Sequence, residues 1–176
     1  GAILVAKILV GGLMKAGYDV KMSEVHGMSQ RGGSVSTQVH WGKKVYSPVI
    51  GEAAADIVVS FEKMEAVRYA NYLKKDGVAV INDFEMPSST IAAGLVEYPA
   101  GCMEAMEKHF RVLKLDAGKI AEDLGNAKCM NVVLFGSMVK ALNMTDIDWE
   151  AVIAETVPAK FKDLNLAAYR AGFDAV

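Results

Sequence analysis

Residues Ala2 to Ala16 are apolar on nearly every side, with Lys7 and Lys15 the only charges. That pattern predicts a helix buried around most of its circumference, typically against a sheet. Gly17 supplies its C-terminal stop, and Tyr18-Asp19-Val20-Lys21-Met22-Ser23 then alternates at period two, as a strand does. A buried helix leading straight into a strand is the second half of a βαβ unit, so a strand and a turn are expected before Gly1. After a polar, glycine-punctuated stretch from Glu24 to Gly33, alternation resumes. Val35, Thr37, Val39 and Trp41 fall on one face, and Ser34, Ser36, Gln38 and His40 on the other. One apolar and one polar face is antiparallel rather than parallel in character. Gly42-Lys43-Lys44 predicts a tight turn, with Val45-Tyr46-Ser47 pairing back as a hairpin before Pro48.

The middle of the chain alternates between short apolar runs and helical periodicity. Asp56 to Phe61 and Gly77 to Asn82 are near-continuous apolar runs, as buried parallel strands are. Between them, Glu62 to Lys75 carries Ala66, Tyr69, Ala70 and Leu73 at the i, i+3, i+4, i+7 spacing of a helix. Residues 83 to 100 form a long connection containing Pro87, Ser88, Ser89 and Pro99. A short helix follows from Cys102 to His109, then a strand from Arg111 to Asp116, then a helix from Ala117 to Leu124 closed by Gly125-Asn126. The last third is helical. Asn131 to Leu142 is apolar with Gly136 and Ser137 inside it, a sign of close helix packing. Thr145 and Asp146 can cap a helix running to about Val157, and Pro158 can start the final one. The expected fold is a single α/β domain over residues 1–176, three-layered, with a mostly parallel sheet, an antiparallel excursion and a helical C-terminal part.

Composition narrows the function. The chain has 176 residues, 52% hydrophobic and 23% charged, enough for one sizeable core. Nineteen basic against 21 acidic residues leave a net charge of −2, without the basic excess of a general nucleic-acid binder. The apolar opening is broken by Lys7 and Gly11-Gly12 and is shorter than the roughly 20 residues of a membrane span. It carries no basic leader, so a reducing, cytoplasmic setting is expected. Cys102 and Cys129 are the two cysteines. They form no CxxC, so neither a disulfide framework nor a thiolate-held cluster within this chain is expected.

The densest polar constellation is Glu24 to Ser34. It offers backbone N–H groups near Gly27, Gly32 and Gly33, the Arg31 guanidinium, the His26 imidazole and the hydrogen-bonding groups of Ser29 and Gln30. Arginine and backbone amides both bind oxyanions, which suits a phosphate or carboxylate. The same glycines also serve a turn that needs them for backbone geometry alone. Gly1, at the start of a buried helix, stands where α/β folds place a pyrophosphate. His40 and His109 read as surface or satisfied residues, the ten methionines as gap-fillers in the core or at a subunit interface, and Glu62, Glu65, Arg68, Lys74 and Lys75 as a solvated helix face. No His, Cys or carboxylate cluster has metal-ligand spacing.

The stretch Ser23-Glu24-Val25-His26-Gly27-Met28-Ser29-Gln30-Arg31-Gly32-Gly33-Ser34-Val35 closely resembles the γ-type subunit or domain of 2-oxoacid:ferredoxin oxidoreductases, and its form is most similar to the β subunit of the indolepyruvate type. Val45-Tyr46-Ser47-Pro48, Ala55-Asp56, Glu62 with Glu65-Ala66, and the Asn131 to Leu142 helix also have counterparts, so the likeness covers most of the chain. In that family a strand and a Gly-x-Gly-Gly-Gln-Gly turn come first, and Gly1 is similar to the last glycine of that turn. The resemblance implies oxidative decarboxylation of a 2-oxoacid with coenzyme A, with electrons passed to ferredoxin. It places thiamine diphosphate and [4Fe–4S] clusters on a large partner subunit. This chain has no Gly-Asp-Gly followed by Asn-Asn, the usual thiamine diphosphate signature. Arg31, Gly32, Gly33 and Gly1 are then expected to form an anion-binding wall for coenzyme A, a shared ligand, with Glu24, His26, Ser29 and Gln30 shaping the loop or facing the other subunit. Two rivals stay open: an assembly module whose loop touches only the large subunit, and a free-standing nucleotide-binding enzyme with His26 as acid/base.

Overall fold

A computed structural model describes residues 2–26 and 35–176. Helix α1 (Ala2–Lys15) ends at Gly17, whose φ of +93° is one that side-chain-bearing residues rarely adopt. The chain then enters β1 (Asp19–His26), which pairs antiparallel with β2 (Val35–Gly42) in the register Asp19 to Gly42 and His26 to Val35. Next come β3 (Ala55–Ser60), α2 (Lys63–Arg68), β4 (Leu73–Asn82), α3 (Ser89–Ala92), α4 (Cys102–His109), β5 (Arg111–Leu115) and α5 (Ala117–Asp123). Helices α6 (Met130–Leu142), α7 (Trp149–Thr156) and α8 (Lys162–Asp174) complete the chain.

Among the described residues, β3, β4 and β5 form a parallel sheet in that order, and β1 with β2 a separate two-stranded one. The parallel sheet is covered on both faces, which is why its central strand reads as an unbroken apolar run. Val80 points with Ile57, Val59, Leu113 and Leu115 into the larger core, built on α6. Ala79 and Ile81 point with Val58 and Val112 the other way, onto Ala66 of α2 and Met103 and Met106 of α4. These are the three expected layers. Helix α1 packs against α6, α7, β1 and β2. Its apolar surface is not wholly covered, since Ile3 and Met14 are exposed.

Helix α6 is the centre of the larger core, with every residue from Asn131 to Val139 buried. It meets α8 at main-chain distance through two facing glycines. A Cβ on Gly136 would lie 2.1 Å from the Tyr169 carbonyl oxygen, and one on Gly172 only 1.7 Å from that of Val133. The Ser137 hydroxyl, buried in the same seam, donates to the Gly172 carbonyl at 2.7 Å. The glycine and serine in this apolar stretch therefore mark a close crossing, as their sizes suggested.

Three local expectations are corrected. The helix after Phe61 ends at Arg68 and not at Lys75. A short 3₁₀ turn over Ala70–Tyr72 follows, and β4 already starts at Leu73. The apolar spacing that suggested a longer helix reflects Ala66, Ala70 and Leu73 all facing the smaller core, which they do across a change of backbone conformation. The jump in register from Ala55–Leu73 to Ile57–Val78 absorbs the extra residues. Val45 to Ser47 does not pair as a strand. Instead, β1 and β2 side chains hold that segment: Asp19 accepts from the Val45 N–H (2.8 Å), His40 Nδ1 donates to the Ser47 carbonyl (2.9 Å), and Gln38 accepts from the Ile50 N–H (2.8 Å). The cap of α7 is Asp148, which accepts from the Ala151 N–H, and neither Thr145 nor Asp146 fills that role. The Trp149 indole, packed edge-on to Phe135, donates to the Met144 carbonyl and fixes the turn before that cap.

Substituting Gly172→Ala is expected to lower stability by about 1–3 kcal/mol, the usual cost of forcing atoms into a filled seam. Gly11→Ala, whose Cβ would meet only Val152 at 3.7 Å, should instead stabilise by about 0.5–1 kcal/mol through helix propensity. Urea unfolding midpoints of the two variants check both signs. The Val45 N–H and, less strongly, Lys21 hold the Asp19 carboxyl below its ordinary value of 3.8. A lowered carboxyl stabilises the folded form above the unfolded value and stops doing so as the pH falls through the folded one. The Val45 amide is therefore expected to lose its protection from hydrogen exchange, with a shift in its NMR resonance, only below about pH 4. In Asp19→Asn that pH dependence should disappear.

Candidate functional site

The C-terminal ends of parallel strands are where open α/β sheets place their ligands. Here that edge holds three buried polar residues, Ser60, Glu62 and Asn82. Asn82 ends β4, and its side chain is used on both sides. Its amide donates to the Phe61 carbonyl (3.0 Å), and its oxygen accepts from the Ala117 N–H at the start of α5 (3.0 Å). It thus ties the ends of β3 and β4 to the next helix. Ser60 donates to the Glu62 carbonyl at 2.6 Å.

Glu62 is the hub of this edge. It is 3% exposed and caps α2 by accepting from the Glu65 N–H. Its second oxygen accepts from the Tyr98 hydroxyl (2.6 Å) and the Met86 N–H (3.4 Å). The Tyr98 oxygen in turn accepts from the Met64 N–H at 2.9 Å. Burial, and then the bond to Glu62, push the Tyr98 phenol well above its ordinary value, so it stays a donor. Outside this cluster the Lys63 ammonium pairs with Glu85 (2.9 Å) and Asp83 (3.9 Å), and the Lys63 N–H donates to the Phe84 carbonyl. The Glu85 bond is the main reason its pKa is raised. Residues 83–100 are therefore strapped to α2 near both ends.

A cavity of about 450 Å³ opens beside this network. Its wall includes Ala2 at the start of α1, Val35 and Ser36 at the start of β2, and Ser60 and Glu62 at the end of β3. Most of the oxyanion-type residues, namely Gly1, Ser29, Gln30, Arg31, Gly32 and Gly33, lie outside the described residues. Their described neighbours nevertheless converge: Ala2, which follows Gly1, and Val35, which follows the Arg-Gly-Gly-Ser run, share this one cavity. Glu24 lies on β1 opposite Thr37, and His26 ends that strand opposite Val35, so the connection 27–34 departs from and returns to one paired end.

Glu62, Asn82 and Tyr98 do not stand out in the sequence as a unit. Glu62 reads there as part of a solvated helix face, whereas it is buried at the helix cap. The available signal is the Glu62-x-x-Glu65 spacing at a strand-to-helix junction, which is where a side chain can reach the first free N–H groups of a helix. The spacing Ser-x-x-Lys occurs at Ser60 to Lys63 and Ser137 to Lys140. Both hydroxyls are committed to main-chain carbonyls, so neither is built as a nucleophile. No group of three His, Cys, Asp or Glu among the described residues could hold a metal ion, and none of their helices is long and apolar enough to cross a membrane.

The chain joins a parallel sheet covered on both faces to an antiparallel hairpin and a helical tail, with a cavity bordered by the starts of α1 and β2 and the end of β3. The family described as pyruvate ferredoxin/flavodoxin oxidoreductase matches residues 1–175, and the chain belongs to it. Among its relatives is the indolepyruvate oxidoreductase subunit IorB of Thermococcus kodakarensis, 38% identical over 181 residues that span 99% of this chain and 90% of that protein. Among solved structures, the gamma subunit of a keto/oxoacid ferredoxin oxidoreductase from Geobacter sulfurreducens superposes with a TM-score of 0.67 at 19% identity, covering 98% of this chain and 87% of that one. A 2-oxoglutarate:ferredoxin oxidoreductase from Magnetococcus marinus, with 2-oxoglutarate, coenzyme A and succinyl-CoA bound, has a TM-score of 0.66 at 16% identity. It covers 98% of this chain and 27% of that much longer one. At these identities the two structures speak for the fold.

Tyr98→Phe removes the donor to a buried carboxylate and the acceptor of the Met64 N–H, and should cost about 1–3 kcal/mol. Lys63→Ala breaks only exposed ion pairs and should cost about 1 kcal/mol or less. Urea titrations of both variants, with limited proteolysis of the 83–100 strap, test the ranking.

Proposed function

We propose that this chain is the accessory, γ-type subunit of an indolepyruvate- or arylpyruvate-type 2-oxoacid:ferredoxin oxidoreductase, a complex that oxidatively decarboxylates a 2-oxoacid to an acyl-CoA and passes the electrons to ferredoxin. The observation that carries this reading is the 38% identity to an indolepyruvate oxidoreductase subunit along 99% of the chain. The chemistry of its own side chains fits an accessory role. A [4Fe–4S] cluster takes four thiolates, and this chain has two cysteines. Both are buried, with thiols pushed up in pKa by desolvation, and each faces a main-chain carbonyl, Cys102 that of Pro99 and Cys129 that of Asn126. They are built as core residues. Thiamine diphosphate and the iron–sulfur clusters accordingly belong to a large partner subunit in a cytoplasmic complex.

Within that complex, Arg31, Gly32, Gly33 and Gly1 contribute an anion-binding wall for the phosphates of coenzyme A, whose thiol is the acyl acceptor. The guanidinium and main-chain N–H groups suit phosphate oxygens. The convergence of Ala2, Val35 and Ser36 on one cavity supports a joint role for the two stretches they adjoin. Glu24, His26, Ser29 and Gln30 shape the loop or face the large subunit.

Co-purification from the native source tests the subunit role. The expected result is a brown, oxygen-sensitive complex with a large iron–sulfur partner, and a colourless, active monomer would overturn it. Calorimetry on the reconstituted complex tests the site. Arg31→Ala is expected to weaken coenzyme A binding by about tenfold or more, corresponding to about 1.4 kcal/mol or more. Unchanged affinity would remove the arginine's role and favour a loop that serves assembly alone.

A further inference from the structure

The connection between β4 and α4 leaves Glu62 and comes back to it. One carboxylate oxygen, Oε2, accepts from the Met86 N–H (3.4 Å) and from the Tyr98 hydroxyl (2.6 Å), which draws the two legs of the strap together. Between them the Leu95 N–H donates to the Thr90 carbonyl (3.1 Å) and closes the turn after α3. Compact surface loops whose ends meet recur at functional surfaces. Phe84 and Met86 lie on the outgoing leg, Leu95 and Val96 on the returning one, and all are between 47% and 76% exposed. Single exposed apolar residues are ordinary, whereas four large ones on adjoining legs form a crest of the kind that marks a contact surface.

Charge and position select what covers it. Residues 83–100 hold Asp83, Glu85 and Glu97 and no Lys, Arg or His. Lys63 serves Asp83 and Glu85, and Glu97 is exposed beside Val96. Two copies of this chain joined crest to crest would set acidic rims against each other, which disfavours a second copy. The matching surface has an apolar centre and a basic rim, and so belongs to a different chain. The strap also reaches the cavity, where Met86 and Ser88 share the wall with Ala2 and Val35, the described neighbours of the motif residues. One partner can therefore cover the motif loop and the crest together. We propose that the crest of Phe84, Met86, Leu95 and Val96 docks into an apolar, basic-rimmed recess on the large subunit. The identity of that partner rests on the subunit role proposed above, whereas the crest and its charge are properties of this chain alone.

Side-chain labelling by a photogenerated carbene, done anaerobically on the native complex and on the free chain, tests this without any variant. Labelling of the four crest residues is expected to fall by about fivefold or more in the complex, as at the packed centre of an interface. Equal labelling would overturn the proposal, and so would labelling of the free chain that falls as its concentration rises, which marks a second copy. Leu95→Arg, at the most exposed of the four positions, is expected to leave the thermal midpoint of the free chain unchanged. It should weaken binding of the large subunit by about tenfold or more, and unchanged affinity would overturn the docking. Glu97→Lys is expected to slow association severalfold at low salt, as loss of a complementary rim charge does. An unchanged or faster rate would overturn the basic rim. Where the complex forms but these effects are missing, only the docking surface falls. If no large iron–sulfur subunit accompanies the chain, the subunit role and the docking fall together.

Discussion

The fold depends on α6 being covered on every side. A helix with nine consecutive buried residues has no solvent face to orient it, so its neighbours set its position. The parallel sheet lies on one flank, α1 and α7 on another, and α8 crosses it where Gly136 and Gly172 bring main chains together. The apolar composition of α6 makes it a helix of the interior. The glycines and Ser137 decide which neighbour comes closest and at what height. Once α6 is fixed, Val80, Leu113 and Leu115 have a surface to pack on. The smaller core on the opposite face can then form around Ala79 and Ile81.

The polar edge of the sheet follows from that burial. Ser60 and Asn82 end strands of the parallel sheet and Glu62 caps the helix after β3; all three are buried, and each is matched by a main-chain group or by Tyr98. The outcome is structural chemistry at a place where related topologies bind ligands. Glu62 serves the capping of α2 and the seating of the 83–100 connection. The described neighbours of the oxyanion-type residues, Ala2 and Val35, border the same cavity as Ser60 and Glu62.

Much of the fold was legible because burial leaves periodicity behind. The runs at Asp56–Phe61 and Gly77–Asn82, the apolar helix around Gly136 and the alternation through Trp41 each name their element directly. Legibility failed where the same burial pattern is compatible with two backbones, as at Ala66, Ala70 and Leu73. It also failed where side chains replace a ladder, as Asp19, His40 and Gln38 do for the segment after β2. The Glu62–Tyr98 bond spans 36 residues, and no local pattern announces a partner that far away. The candidate anion site had the opposite fate. Its motif residues are conspicuous in sequence, and the structure contributes the shared position of their neighbours.

The strap over residues 83–100 carries Phe84, Met86, Leu95 and Val96, all exposed, yet it is hydrogen-bonded to α2 near both ends. Ordering a free loop costs roughly 0.5–1.5 kcal/mol for each side chain immobilised. Here most of that ordering is complete when the chain folds. A molecule that touches this surface therefore meets it preorganised, and the strength of its contact is decided by shape and chemistry, with little conformational entropy left to overcome.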